Sequence, residues 1–108
     1  MNNITPEMIK VVAEGMGYFS VKIQSDGVSA LKERYSIRCT YDPPTNPAQD
    51  SEIEIKLEIT TYRNWAGDTW VAELRNVNKR MQGNTPAEAR FMAAYNYFKG
   101  DNNEQRNK

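Results

Sequence analysis

Few side chains in this sequence can hold a proton, a metal or a nucleophile. Histidine is absent, so the usual general base, the Ser-His and Cys-His nucleophile pairs and most zinc sites are missing together. Cys39 is the single cysteine and has no partner for an intramolecular disulfide, in keeping with a reducing compartment. It reads as a small apolar filler in a strand. Arg34 and Arg38 nearby are what a reactive-thiol reading would rest on. Glu52, Glu54 and Glu58 are the remaining acid–base candidates, as a proton-transfer cluster or a magnesium site. A strand would line them along its solvent face and a helix would scatter them, so the solvated reading is preferred. The glycines at 15, 17, 27, 67, 83 and 100 each stand beside a turn or helix end, and none builds a phosphate-cradling loop. No cofactor, metal or catalytic residue is implied. An enzyme would have to work with carboxylates or Cys39 alone.

The richest remaining pattern is polar and aromatic. Trp65 and Trp70 lie close to Tyr62, Arg63 and Arg75, and Lys79 and Arg80 continue the basic character. Arginines interleaved with aromatics can stack bases or grip a peptide. They can equally be core aromatics with snorkelling arginines along a hairpin. Trp70 alternates with Ala72 and Leu74 and reads as structural, whereas Trp65, at a turn, stays open between the two. The candidate binding residues are therefore Trp65, Arg63, Arg75, Lys79 and Arg80. Lys32, Arg34 and Arg38 add a second basic strand face. Fourteen basic residues balance fourteen acidic ones, so no net field draws the chain to nucleic acid or an anionic membrane.

The elements that hold these residues are signalled unevenly. A chain of 108 residues, 39% hydrophobic and 26% charged, suits one globular domain with a single core. It contains no run near the roughly 18 apolar residues of a membrane span. Its start, MNNITPEMIK, lacks the apolar stretch of a signal peptide, so a cytoplasmic location is expected. Thr5-Pro6-Glu7 opens a helix whose stripe is Met8, Ile9, Val12 and Met16, ended by Gly15 and Gly17. Residues 18–24 alternate, with Phe19, Val21 and Ile23 on one face, and Ser25-Asp26-Gly27 is a turn. A second strand is expected over 30–41, with Leu31, Tyr35, Ile37 and Cys39 on one side. Pro43, Pro44 and Pro47 make the next segment a loop. Residues 48–61 are ambiguous: Ile53, Ile55, Leu57 and Ile59 alternate as in a strand, while Asn46-Pro47 and Asp50 favour a helix start. A hairpin follows, 59–64 with 69–76, and 77–82 is a polar connector or frayed strand end. Thr85-Pro86-Ala87-Glu88 is a capping box for a last helix to about residue 99, with Ala87, Phe91, Ala94, Tyr95 and Phe98 inward and Gly100 as its stop. Residues 1–100 form the domain, and 101–108 should be a disordered polar tail.

Several of these pieces together resemble the phage ABA sandwich family of small phage and prophage proteins. The resemblance runs through Tyr41-Asp42-Pro43, Thr45-Asn46-Pro47-Ala48-Gln49 and Lys56-Leu57-Glu58-Ile59. Trp70-Val71-Ala72 is similar to the family's Trp-x-Ala strand, and Asn84-Thr85-Pro86-Ala87-Glu88-Ala89-Arg90 to its closing helix, a pattern shared with Nin-region proteins of lambdoid phages. Met8-Ile9-Lys10 to Met16-Gly17-Tyr18 resembles its first helix. Residues 21–38 are richer in strand than that pattern, and 53–59 alternate where the family has helix. The resemblance implies a sheet sandwiched by helices and a phage or prophage origin. It implies no activity and no catalytic residue.

The expected fold is α+β: a small antiparallel sheet with N- and C-terminal helices packed on it, and a third short helix near 47–57 before strand from about Glu58. The expected function is that of a non-enzymatic phage accessory protein that binds a host or phage macromolecule, with a protein as the partner. The alternative is a nucleic-acid-binding module using the basic and aromatic strand face.

Overall fold

The computed structural model describes residues 4–33, 37–64, 67–75 and 80–107. Among them the order is α1 (Pro6–Gly15), β1 (Phe19–Gln24), β2 (Gly27–Leu31), β3 (Cys39–Thr40), α2 (Pro47–Leu57), β4 (Ile59–Arg63), β5 (Trp70–Leu74), β6 (Arg80–Gly83) and α3 (Pro86–Asn107). The fold is α+β, with the strands divided between two antiparallel three-stranded sheets, β1-β2-β3 and β4-β5-β6. α3 packs on the second sheet and on both other helices, while α1 packs on β1 and β2.

The helices start where local chemistry directs. The Thr5 side chain accepts from the Met8 amide, and Asn46 Oδ1 accepts from Ala48 and Gln49. Thr85 Oγ1 accepts from the Glu88 amide at 3.1 Å, while Glu88 reaches back one residue beyond a standard capping box, to the Asn84 amide. The segment after Asn46 is helix. Ile53 is buried and Leu57, one turn on, is packed against the core, whereas Ile55 is 75% exposed. The alternation at 53–59 thus crosses a helix end. Glu58 takes the left-handed conformation there, with φ 51, and strand begins at Ile59. α3 continues past Gly100 to Asn107, beyond the expected stop. Glycine inside a helix costs only about 1 kcal/mol relative to alanine, which need not end it.

The first sheet departs most from the periodic reading. Phe19 opposes Leu31, but Lys22 opposes Ser29 and Ile23 opposes Val28, so a bulge lies between. Ser20 sits in it with φ 49. The extra residue puts Phe19 and Ile23 on different faces, because Val28 and Leu31 point oppositely along β2. Both are about half exposed, and Val21 alone of the three packs against the core. The expected strand over 30–41 is interrupted: β2 ends at Leu31 and pairing resumes at Cys39. Ile37 is 90% exposed and Cys39 is exposed, so neither fills the core. Tyr35 and Arg34 lie outside the described residues. Arg38 crosses the bulge, donating to the Ser20 carbonyl at 2.8 Å and to Ser29 Oγ at 3.0 Å.

α2 ties the two sheets together. The buried Gln49 amide donates to the Thr40 carbonyl at 2.9 Å and accepts from the Asp42 amide at 2.6 Å, closing the β3 edge as a further strand would. One residue on, Asp50 accepts a two-pronged contact from Arg90 of α3, 2.8 Å from Nε and 2.5 Å from Nη2. Arg90 Nη1 also donates to Thr61 Oγ1 of β4. The core between these layers holds Val12, Val28, Tyr41, Ile53, Ile59, Ala72, Leu74 and Phe91, with Trp70, Tyr95 and Phe98 packed against it. Gly83 brings β6 against the start of α3, where a Cβ would collide with the backbone at Ala89.

Candidate functional site

The candidate residues read from sequence do not form one patch. Arg63 ends β4, Arg75 follows β5 and Arg80 opens β6; Trp65 and Lys79 lie outside the described residues. Arg63 opposes Trp70 and Arg80 opposes Glu73, so the two arginines extend from opposite faces of the second sheet. Each described arginine meets a carboxylate: Arg63 with Asp68 at 3.4 Å, Arg75 with Glu58 at 2.8 Å, Arg80 with Glu73 at 3.7 Å. Such exposed pairs contribute little stability, but they cancel local charge. Tyr62 donates to Glu73 at 2.9 Å and accepts from Arg80 at 3.4 Å. On the other face the Arg63 guanidinium stands 5.8 Å from the Trp70 ring centroid. Both border a hollow of about 470 Å³ with Asn64 and Asp68.

A second site forms where α1, α2 and the open end of the β1–β2 hairpin meet. α1 closes with paired bonds, Tyr18 N–H to the Ala13 carbonyl and Gly17 N–H to the Glu14 carbonyl, and Gly17 supplies the required left-handed conformation at φ +93. That closure presents the Tyr18 ring to α2. Its hydroxyl donates to Glu52 Oε1 at 2.6 Å, and Lys32, just past β2, reaches Glu52 Oε2 at 2.5 Å. Behind Tyr18 stands Tyr41, ring centroids 4.6 Å apart. Tyr41 is fully buried, and its hydroxyl has no hydrogen-bond partner among the described residues. Lys56 Nζ donates to the Met16 carbonyl at 3.4 Å. Between these groups, with Met16 and Ile55 as apolar walls, lies a groove of about 410 Å³.

The electrostatics of the groove are those of a clasp. Burial raises the Glu52 carboxyl, but the hydrogen bonds from Lys32 and Tyr18 outweigh it and hold the group below its ordinary 4.5. The Glu52 hydrogen bond and charge raise Lys32 above its ordinary value. Burial, then Glu52, pushes the Tyr18 phenol up; burial, then Tyr18 and Glu52, does the same to Tyr41. None of these shifts moves a group towards neutrality, where general acid–base work is most efficient. Among the described residues no cluster of three or more ligating side chains is placed to hold a metal ion. No described helix is long and apolar enough to cross a membrane.

Sequence reading missed this groove. Glu52, expected on a solvated face with Glu54 and Glu58, is instead the bonded centre of the clasp. The available signal was Gln49, Glu52 and Lys56 at helical spacing, which lines up only if the segment is helix. No protein-family model matches the chain, and no curated protein matches it.

Proposed function

We propose that this is a non-enzymatic accessory protein of phage or prophage origin, acting in the bacterial cytoplasm by binding a host or phage protein. The observation that carries the binding reading is the groove wall at Ile55, left in solvent, with Ile37 and Phe19 as further large apolar side chains exposed on the surface. Ile55 is 75% exposed, Ile37 90% and Phe19 47%. Exposed apolar groups beside a preformed depression are what a protein interface uses. The resemblance to small phage proteins supplies the origin and the setting. The test is affinity capture from a bacterial lysate, followed by reassembly of the complex from purified components. A stable complex of defined stoichiometry is expected, and capture of nothing above background counts against the reading.

A nucleic-acid reading is favoured by one observation, the Arg63–Trp70 contact beside its hollow. Asp68 at the same place opposes phosphate. A gel shift with a single-stranded oligonucleotide decides between them: binding at low salt that weakens steeply as salt rises supports nucleic acid, and no shift at low salt removes it.

A further inference from the structure

We propose that the outer face of the first sheet, where Lys22 and Arg38 flank Ser29, binds a glutamate or aspartate side chain from an acidic segment of a partner protein. This rests on the protein-binding reading above and assigns partner chemistry to a site separate from the groove.

Strand register places the groups. Ser29 directly opposes Lys22 of β1 on one side and Thr40 of β3 on the other, so the three side chains form one row across the sheet. Val28 and Ala30, which alternate with Ser29, belong to the core, so the row faces outward. Arg38 reaches into this row from just before β3. Its Nη1 donates to the Ser29 hydroxyl at 3.0 Å and to the Ser20 carbonyl at 2.8 Å, and Ser29 is only 6% exposed. Both Nη1 hydrogens are thereby used, while Nε and Nη2 meet no acceptor among the described residues. The Nε–Nη2 edge is a fork that matches the two oxygens of a carboxylate. The completed arrangement stands elsewhere in the same chain. Arg90 anchors Nη1 on the Thr61 hydroxyl and gives Nε and Nη2 to the two oxygens of Asp50. Arg63, Arg75 and Arg80 meet carboxylates too, whereas Arg38 and the exposed Lys22 make no ion pair among the described residues. The face therefore holds two uncompensated cations, one of them fixed in advance, which lowers the ordering cost of binding an anion.

The surroundings favour a carboxylate on a polypeptide. A nucleic-acid strand is held by a track of cations along successive phosphates, and the described part of this face supplies two. Apolar surface adjoins them instead. Phe19, half exposed, opposes Leu31, which lies two residues along β2 from Ser29 on the same face, about 7 Å from the row. An extended segment with an acidic and an apolar residue two positions apart matches both, because its alternate side chains are also about 7 Å apart.

The experiment is an NMR titration of the isotope-labelled full chain, read at the Arg38 Nε–H and at the amides of Phe19, Lys22 and Thr40. The probe is the peptide acetyl-Leu-Thr-Glu-Thr-Leu-amide, and its control carries glutamine in place of glutamate. The glutamate peptide should saturate these shifts, and the glutamine control should bind about tenfold more weakly or worse. Arg38→Lys keeps the charge and loses the fork, and should weaken binding about tenfold or more. Lys22→Glu should weaken it as much, by about tenfold, and should keep the wild-type melting temperature because Lys22 is exposed and unbonded. It decides the matter even if Arg38→Lys fails to fold. Equal binding of the glutamine peptide, or unchanged binding in Lys22→Glu, would overturn the proposal. So would inorganic phosphate or an oligothymidylate that moves the Arg38 Nε–H at lower concentration than the peptide. A partner captured equally well by wild type and Lys22→Glu would overturn this face and leave the broader binding reading standing. Peptide binding in a chain that captures no macromolecule would support the face and count against that broader reading.

Discussion

Tyr41 and Tyr18 are neighbouring phenols, their rings tilted 56° to each other, with opposite circumstances. The Tyr18 hydroxyl has a carboxylate partner at 2.6 Å, while that of Tyr41 is buried with none among the described residues. A buried hydroxyl without a partner costs about 1–3 kcal/mol, and a hydrogen bond to a charged group contributes about 1.5–3 kcal/mol. Tyr41→Phe should therefore raise the urea midpoint or leave it unchanged, and Tyr18→Phe should lower it. A clear loss of stability in Tyr41→Phe would mean that its hydroxyl is bonded after all. The clasp also carries a pH signature. The folded Glu52 carboxyl lies below its ordinary 4.5, so its contribution is full above that pH and fades as pH falls through the folded value. Lys32, raised, contributes fully below its ordinary 10.5 and loses its share only above it. Glu52→Gln should be less stable than wild type from about pH 5 to 8, with the difference shrinking below about pH 4.5. Urea unfolding across pH reads this, and a pH-independent difference would contradict it.

Among the elements, α3 contributes most of the helical side of the core. Phe91 is fully buried, with Ala89, Ala93 and Ala94 around it, and Phe98 packs where Gly15 of α1 leaves room. Truncating a buried aromatic typically costs about 3–5 kcal/mol, a large part of the roughly 5–15 kcal/mol total of such a domain. Phe91→Ala should lower the melting temperature by many degrees or prevent folding. Glu88→Ala removes one exposed capping bond and should cost on the order of 1 kcal/mol. Near-equal melting temperatures for the two variants would mean that the apolar face of α3 is not in the core.

At the scale of the molecule, α2 joins two small three-stranded sheets. Gln49 and Glu52 hold the first sheet, and Asp50 holds α3 and β4 through Arg90. The Asp50 and Arg90 side chains are only 12% and 15% exposed. Removing one partner of such a pair leaves an uncompensated charge, at about 3–5 kcal/mol, whereas replacing both by apolar groups is often neutral. Arg90→Ala should destabilise the protein strongly, and Asp50→Leu combined with Arg90→Met should recover most of the loss. If the double variant were as unstable as the single one, the hydrogen bonds of the pair, and not its uncompensated charge, would account for the effect.

The sequence by itself determined the α+β class, the starts of all three helices and the β4–β5 hairpin. Those features rest on bonds between near neighbours: Thr5 to Met8, Asn46 to Ala48, Thr85 to Glu88. Trp70, Ala72 and Leu74 were legible as one inward face because strand alternation is local too. Only the tertiary structure decided which carboxylate becomes a clasp, which isoleucine is left in solvent and how the strands divide into two sheets. Tyr18 meets Glu52 across 34 positions, and Arg90 meets Asp50 across 40. One extra residue at Ser20 reverses the facing of everything on one side of it, and no composition rule marks that position. The candidate groove is built from such distant contacts, so it came into view only when the chain closed on itself.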